Sequence, residues 1–428
     1  MFNTPYIQKT TNPLELQKFL WRLNRLQHHS KPSFRIVIGL THTGTVWRPG
    51  VLEFLVMLLT ELEARGFRNL RGNAVCGDGL NILLGDNGQG KTNWLEAIYL
   101  LATTRSFRTA KLSEAINFDE GLAVVVGKVF RSKDIRHELR VVLEGNAKAF
   151  SVNGKRETVS RYLGELHAVV FNADELEVVR GTPENRRRFL DESITAIHPP
   201  YVQTVTDYNR VIRQKNTLLQ TARDREYSMD KTTDSLSPWN EQLAGLAAKV
   251  HRSRVRYVER LNEALEKDLF GDRQITIRYA SSLEEKGDLG DYVALMKERL
   301  ALRVQAELVA GHALIGTHRD DLEVLMEGRE IRKYGSSGQQ RSALLMLQLA
   351  NIEIYNAQRG EYPLFLLDDI DAELDYNRIG QLLEYLAGKT QTFVTTSKES
   401  FGEQFGTGAR LMRVEGGSVV ERSAGIGR

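Results

Sequence analysis

The segment Gly85-Asp86-Asn87-Gly88-Gln89-Gly90-Lys91-Thr92 constrains what this chain can fold into more than any other stretch. It fits the phosphate-loop pattern in full. A short apolar strand, Asn81-Ile82-Leu83-Leu84, precedes it, and an amphipathic helix from Thr92 to Leu101 follows, with Leu95, Ile98, Tyr99 and Ala102 on one face. Glycines at these positions let backbone N–H groups converge on phosphate oxygens, and the helix N-terminus adds partial positive charge. All eight residues are therefore expected to hold ATP. Lys91 is placed to bridge the β- and γ-phosphates, and the Thr92 hydroxyl to join the shell of a Mg²⁺ ion.

A second acidic element belongs with the first. Leu364-Phe365-Leu366-Leu367 is a continuous apolar run, as a parallel strand buried on both faces should be. It delivers Asp368 and Asp369 at its C-terminal end, where open α/β sheets place their ligands. Asp368 is the expected Mg²⁺ partner, and Asp369 the carboxylate that orients the attacking water.

Between these lies Tyr334-Gly335-Ser336-Ser337-Gly338-Gln339-Gln340-Arg341, opening a helix that runs to about Asn356. A Ser-x-Gly-Gln run offers an anion a hydroxyl, a flexible backbone and a helix dipole; taken alone it is equally an ordinary N-cap. Its place in the chain decides. The order phosphate loop, long insertion, Ser-x-Gly-Gln helix, acidic strand is that of ABC-type ATPases. In that class the serine helix completes the nucleotide site of a second subunit, so two chains sandwich two ATP molecules. Ser336, Gly338 and Gln339 are accordingly expected to act in trans, with Ser336 a catalytic residue beside Lys91 and Asp369.

Several further segments carry a family resemblance. Phe67-Arg68-Asn69, Arg105-Ser106-Phe107-Arg108-Thr109, Thr182-Pro183-Glu184-Asn185-Arg186-Arg187-Arg188-Phe189-Leu190-Asp191, Gly316-Thr317-His318-Arg319-Asp320-Asp321 and Asp371-Ala372-Glu373-Leu374-Asp375, together with the three motifs above, are similar to the RecF family. They run in order from Leu58 to roughly Thr396. The resemblance implies an α/β fold, an ABC-type P-loop ATPase head with an inserted helical arm. It also implies an ATP-dependent homodimer on single- or double-stranded, gapped DNA, weak DNA-dependent ATP hydrolysis, and recombinase loading at gaps with recombination mediator proteins. One departure is Asn172-Ala173-Asp174-Glu175-Leu176, where such chains usually carry Phe-x-Pro-Glu-Asp-Leu.

Hydrophobic periodicity places the head at 57–183 and 271–428 and the helical arm at 184–270. Within the arm, Leu243, Leu246, Val250, Tyr257, Val258, Leu261 and Leu265 share one helix face, and the longest helix reads as about thirty residues. Residues 1–56 carry no chemistry and read as an extension, or as sequence upstream of a start at Met57. With Cys76 the one cysteine, no intramolecular disulfide can form, which suits a reducing, cytoplasmic setting. The apolar run from Val51 to Leu59 is too short for a bilayer, which needs roughly 20 residues, so no membrane association is expected.

All nine histidines lie at or before His318. Transporter ABC subunits usually keep a switch histidine at the strand end where this chain has Thr395-Thr396-Ser397, which argues against a transport ATPase and for slow hydrolysis used as a timer. A chromosome-structuring head would insert hundreds of heptad residues, far more than the arm provides. Arg180, Arg186, Arg187, Arg188, Arg210, Arg213 and Lys215, with Tyr201 and Tyr208 between them, are candidate DNA contacts. Glu184, Asp191, Glu192 and Asp207 are interleaved with them, so a salt-bridged helix face explains the run equally well. His318 reads as a satisfied core histidine and receives no role.

Overall fold

Strands that read as unbroken apolar runs need cover on both faces, and here they have it. The computed structural model describes residues 55–132, 135–267 and 274–420. Apart from Leu55 and Val56, which pair in parallel with Glu361 and Tyr362, the extension expected over residues 1–56 lies outside the described residues. The central sheet has the strand order Ala168–Phe171, Leu364–Leu367, Thr392–Thr396, Leu80–Leu84, Arg410–Glu415, Ser418–Val420. The first five strands are parallel and the last is antiparallel.

Alternation along these strands divides the interior into two cores. Leu83, Ala168, Val170, Leu364, Leu366 and Phe393 face the phosphate-loop helix, Lys91–Thr103. Beyond that helix lies a second, antiparallel sheet in the order Arg71–Val75, Leu58–Arg65, Leu122–Ser132, Ile135–Glu144, Ala147–Val152, Lys155–Arg156. Gln391 stitches the two sheets together: its side chain accepts from Leu59 N at 2.8 Å and donates to the carbonyls of Leu59 and Gly77 at 2.8 and 2.7 Å.

Ile82, Leu84, Val169, Phe171, Phe365, Leu367 and Val394 point the other way, into a core shared with helices Pro183–Ile197, Tyr201–Asp224, Met229–Leu265 and Ser337–Arg359. The inserted helices are thus fused to one face of the parallel sheet. The arm helix Met229–Leu265 has 37 residues, longer than the sequence pattern suggested, and Pro238 stands inside it without ending it. Leu243, Val250, Tyr257, Val258, Leu261 and Leu265 are buried along its predicted face. A small antiparallel sheet, Ile275–Ala280 with Asp321–Met326 and Arg329–Glu330, packs on the same core.

A separate small core of Leu219, Leu236 and Val304 lies farther out, near a fully buried ion pair, Lys215 Nζ to Glu307 Oε2 at 2.7 Å. Removing one member of such a pair leaves an uncompensated buried charge. Glu307→Leu is expected to lower stability by about 3–5 kcal/mol, and the double variant with Lys215→Met to recover most of it. Urea denaturation measures both; equal losses in single and double variants would contradict this.

Candidate functional site

The phosphate loop connects the strand Leu80–Leu84 to the helix Lys91–Thr103 at the C-terminal edge of the parallel sheet. Its glycines are required by space as well as by torsion. A Cβ at Gly85 would stand 2.4 Å from the Val414 carbonyl oxygen. Gly90 has φ 106°, and a Cβ there would meet Asn69 Oδ1 at 2.8 Å. The loop is pinned from outside by Gln89, whose Oε1 accepts from Gly416 N at 2.6 Å and whose backbone oxygen accepts from Gly417 N at 2.8 Å. The buried Lys91 ammonium folds back over the loop and donates to the backbone oxygens of Gly85 and Asp86 at 2.7 and 2.9 Å. A phosphate group entering this cradle would meet that cation.

Sheet register brings the distant acidic residues to the same place. Leu364–Leu367 and Leu80–Leu84 both flank Thr392–Thr396, so Asp368 arrives beside the start of the phosphate-loop helix. Thr92 Oγ1 donates to Asp368 Oδ1 at 2.9 Å and Thr395 Oγ1 donates to the same oxygen at 2.7 Å. Burial raises the Asp368 pKa, and the two threonine hydrogen bonds oppose that rise. The Thr92–Asp368 pair fits a magnesium site, since that ion takes one or two protein oxygens and completes its shell with phosphates and water. Asp369 follows in the left-handed region, φ 52°, with its N–H donating to Thr395 Oγ1 at 2.8 Å and its side chain exposed.

Ser336 is the N-cap of the helix Ser337–Arg359, in a full capping box: Ser336 Oγ accepts from Gln339 N at 3.3 Å, and Gln339 Oε1 accepts from Ser336 N at 2.8 Å. Ser336 and Gly338 are exposed. They line a cleft of about 410 Å³ with Gln339, Arg341, Glu373 and Asp375. Arg341 Nε donates to Glu373 Oε2 at 2.6 Å, tying this helix to the short helix Ile370–Glu373 at the head of the Asp371–Asp375 segment. None of the residues lining the cleft belongs to the phosphate loop. The structure therefore brings Lys91, Thr92, Asp368 and Asp369 together and puts Ser336, Gly338 and Gln339 in a cleft of their own.

Sequence reasoning missed the support behind the loop. Glu96, fully buried on the phosphate-loop helix, takes both Arg68 Nε and Nη2, at 3.0 and 2.8 Å, and Ser106 Oγ at 2.5 Å. Asn93 donates to Asn69 Oδ1 at 2.7 Å and accepts from Arg108 at 2.6 Å. The available signal was a glutamate inside a helical run that is otherwise apolar, which demands a cationic partner.

The proposed DNA-contact cluster needs correction. Arg186 is 2% exposed and donates to both Asp321 oxygens at 2.7 and 2.9 Å, while Arg187 donates to the Asp320 carbonyl at 2.7 Å. Lys215 is buried against Glu307, and Tyr201 and Tyr208 are buried with their hydroxyls on Asp191 and His318. Arg186, Arg187, Lys215 and Tyr208 join the arm to residues beyond 270, and Tyr201 braces the arm internally on Asp191. Arg180, Arg188, Arg210 and Arg213 are the exposed members. His318 is satisfied by Tyr208 at 2.8 Å, and burial lowers its pKa to about 4.

The fold and site define an ABC-type P-loop ATPase head with an inserted helical arm. The family model for the RecF/RecN/SMC N-terminal domain matches residues 58–419. The chain belongs to the RecF family. It is 35% identical over 376 residues to the DNA replication and repair protein RecF of Geobacillus kaustophilus, covering 86% of this chain and 100% of the relative. It is also 35% identical over 350 residues to RecF of Halothermothrix orenii, covering 80% and 92%. A solved structure described as the recombination mediator protein RecF-ATP in the RecFOR pathway aligns with TM-score 0.79 at 30% identity, covering 87% of this chain and 100% of that one.

Behind the site, a cavity of about 660 Å³ separates the end of the phosphate-loop helix from the arm. Arg105 donates to Glu192 Oε1 at 2.6 Å and Tyr99 to Glu192 Oε2 at 3.3 Å across it. Glu175 also lines it, and its pKa is raised to about 7, first by burial and then by the Glu192 charge, with Arg188 opposing. An acid whose folded pKa lies above its ordinary 4.5 contributes stability that is complete below 4.5 and lost as pH rises through 7. Glu175→Gln should therefore be more stable than the parent at pH 8 and lose that advantage near pH 5, read from thermal midpoints. Parallel pH curves for the two proteins would contradict the assignment.

Proposed function

We propose that the chain is an ATP-dependent DNA-binding protein of repair, recombination and replication that dimerises on ATP, binds single- or double-stranded DNA at gaps and helps to load recombinase. The observation that carries the ATP-dependent part of the reading is the meeting of Thr92 and Thr395 on Asp368 beside the glycine cradle and Lys91; the DNA part rests on the RecF family membership. Relatives named as DNA replication and repair proteins, and an aligned structure described as RecF-ATP, point the same way. The mediator proteins of the pathway that structure names are the expected partners, and the cytoplasm the expected location. The head is assigned to 57–183 and 271–428, and the arm to 184–270.

In this reading Gly85 through Gly90 bind the phosphates through backbone N–H groups and Lys91 meets the β- and γ-phosphates. Thr92 and Asp368 hold a Mg²⁺ ion, which supplies charge neutralisation. Asp369 orients the water that attacks the γ-phosphate. Ser336, with Gly338 and Gln339, closes the site of the second chain; support comes from their exposure in a cleft apart from the phosphate loop. Thr395 and Thr396 provide no imidazole to the γ-phosphate, so hydrolysis is weak and acts as a timer; its dependence on DNA follows from the RecF family membership.

Sedimentation with ATP, with and without gapped DNA, tests the reading. Wild type is expected to dimerise with ATP, and Ser336→Arg to stay monomeric because the bulky cation blocks the seam. A wild-type chain that remains monomeric in every condition would contradict the trans site.

A further inference from the structure

Lys398 follows the strand Thr392–Thr396 closely, and that strand ends at the mouth of the phosphate site. Thr396 is paired with Leu84, the residue before the phosphate loop, and Thr395 is hydrogen-bonded to Asp368. Lys398 N donates to Thr396 Oγ1 at 3.0 Å, which turns the chain there. Its ammonium stands 3.1 Å from Asp371 Oδ2, donates to the Asp371 backbone oxygen at 3.3 Å and lies 5.9 Å from the centre of the Tyr376 ring. Asp371 lies in the short helix Ile370–Glu373 at the head of the Asp371–Asp375 segment, which the serine helix contacts through Arg341 and Glu373.

This ion pair is unevenly satisfied. The Asp371 side chain is 3% exposed, yet its Oδ1 has no hydrogen-bond partner. Lys398 is 50% exposed and lies on a flexible four-carbon stem. A buried carboxylate with one oxygen unmet holds its remaining cation firmly, so only a ligand of higher charge could draw the ammonium away. A terminal phosphate carries close to two negative charges and three acceptor oxygens, and would outcompete it.

We propose that Lys398 is the sensor of the γ-phosphate: it rests on Asp371 when no γ-phosphate is present, and transfers to that phosphate when one is bound, releasing the Asp371–Asp375 segment for the second chain. The inference rests on the ATP-site reading above. It gives this chain a cation at the strand end where transporter subunits keep an imidazole, and it couples the state of the nucleotide to the segment that faces the serine helix. Lys398 would touch the substrate, whereas Asp371 would be a positioning residue.

Calorimetric titration of the full chain with ATPγS and with ADP, each with Mg²⁺, tests this. Lys398→Gln should bind ADP as the wild type does and bind ATPγS about tenfold more weakly, the worth of one charge-assisted hydrogen bond. Lys398→Arg, which keeps the charge, should restore most of the ATPγS affinity. If Lys398→Gln keeps the wild-type ratio of ATPγS to ADP affinity, or loses both equally, the lysine is only a prop for that segment and the proposal is overturned. A wild-type chain that binds neither nucleotide would overturn the ATP-site reading itself, and the sensor with it.

Discussion

Asp368 Oδ1 accepts hydrogen bonds from Thr92 and Thr395, and the rest of the site depends on that one oxygen. Three segments far apart in the chain meet there: the start of the phosphate-loop helix and the ends of two neighbouring parallel strands. No local propensity could bring them together. What does so is sheet register, since Phe365, Leu366 and Leu367 pair with Thr392, Phe393 and Val394, which in turn pair with Leu80, Asn81 and Ile82. Parallel strands all end at one edge, and that edge collects whatever the sequence places after each strand.

The same sheet accounts for the coupling between head and arm. Because successive residues point to opposite faces, Leu366 packs toward the phosphate-loop helix while Leu367 packs toward the arm. Two adjacent carboxylates on the helix Pro183–Ile197 extend this link. Glu192 is held by Arg105 at the end of the phosphate-loop helix, and Asp191 takes Arg254 of the long arm helix through two hydrogen bonds at 2.9 and 2.8 Å. Arg254 also donates to the Thr317 carbonyl at 2.7 Å. A shift of the phosphate-loop helix is therefore opposed by a chain of ion pairs that reaches the arm, of which Arg105–Glu192 is half exposed and screened by solvent, whereas Arg254–Asp191 is buried and screened least.

What was legible in the sequence followed from patterns that act locally. The phosphate loop is read from glycine spacing, the buried strand at Leu364–Leu367 from its unbroken apolar run, and the Ser336 cap from hydroxyl chemistry at a helix start. The arm helix was legible in its buried face, while its length of 37 residues exceeds the thirty or so that the pattern gave. The arginine cluster was misread in part. Arg186 and Lys215 look solvated beside acidic neighbours, but their true partners, Asp321 and Glu307, are remote in sequence. The role of Glu96 was open to inference from its apolar surroundings, whereas its partner Arg68 required the fold.

The central claim is that one nucleotide site is built by two chains, Lys91 from one and Ser336 from the other. Mixing two separately inactive variants, Lys91→Ala and Ser336→Ala, the second removing the hydroxyl without blocking the seam, tests it most directly. In a mixed dimer one site has both defects and the other has neither, so ATP hydrolysis should return to about a quarter of the wild-type rate at equal mixing, given random two-fold pairing. If the mixture stays as inactive as either variant alone, with mixed dimers shown to form, then the site is complete within one chain and the account is wrong.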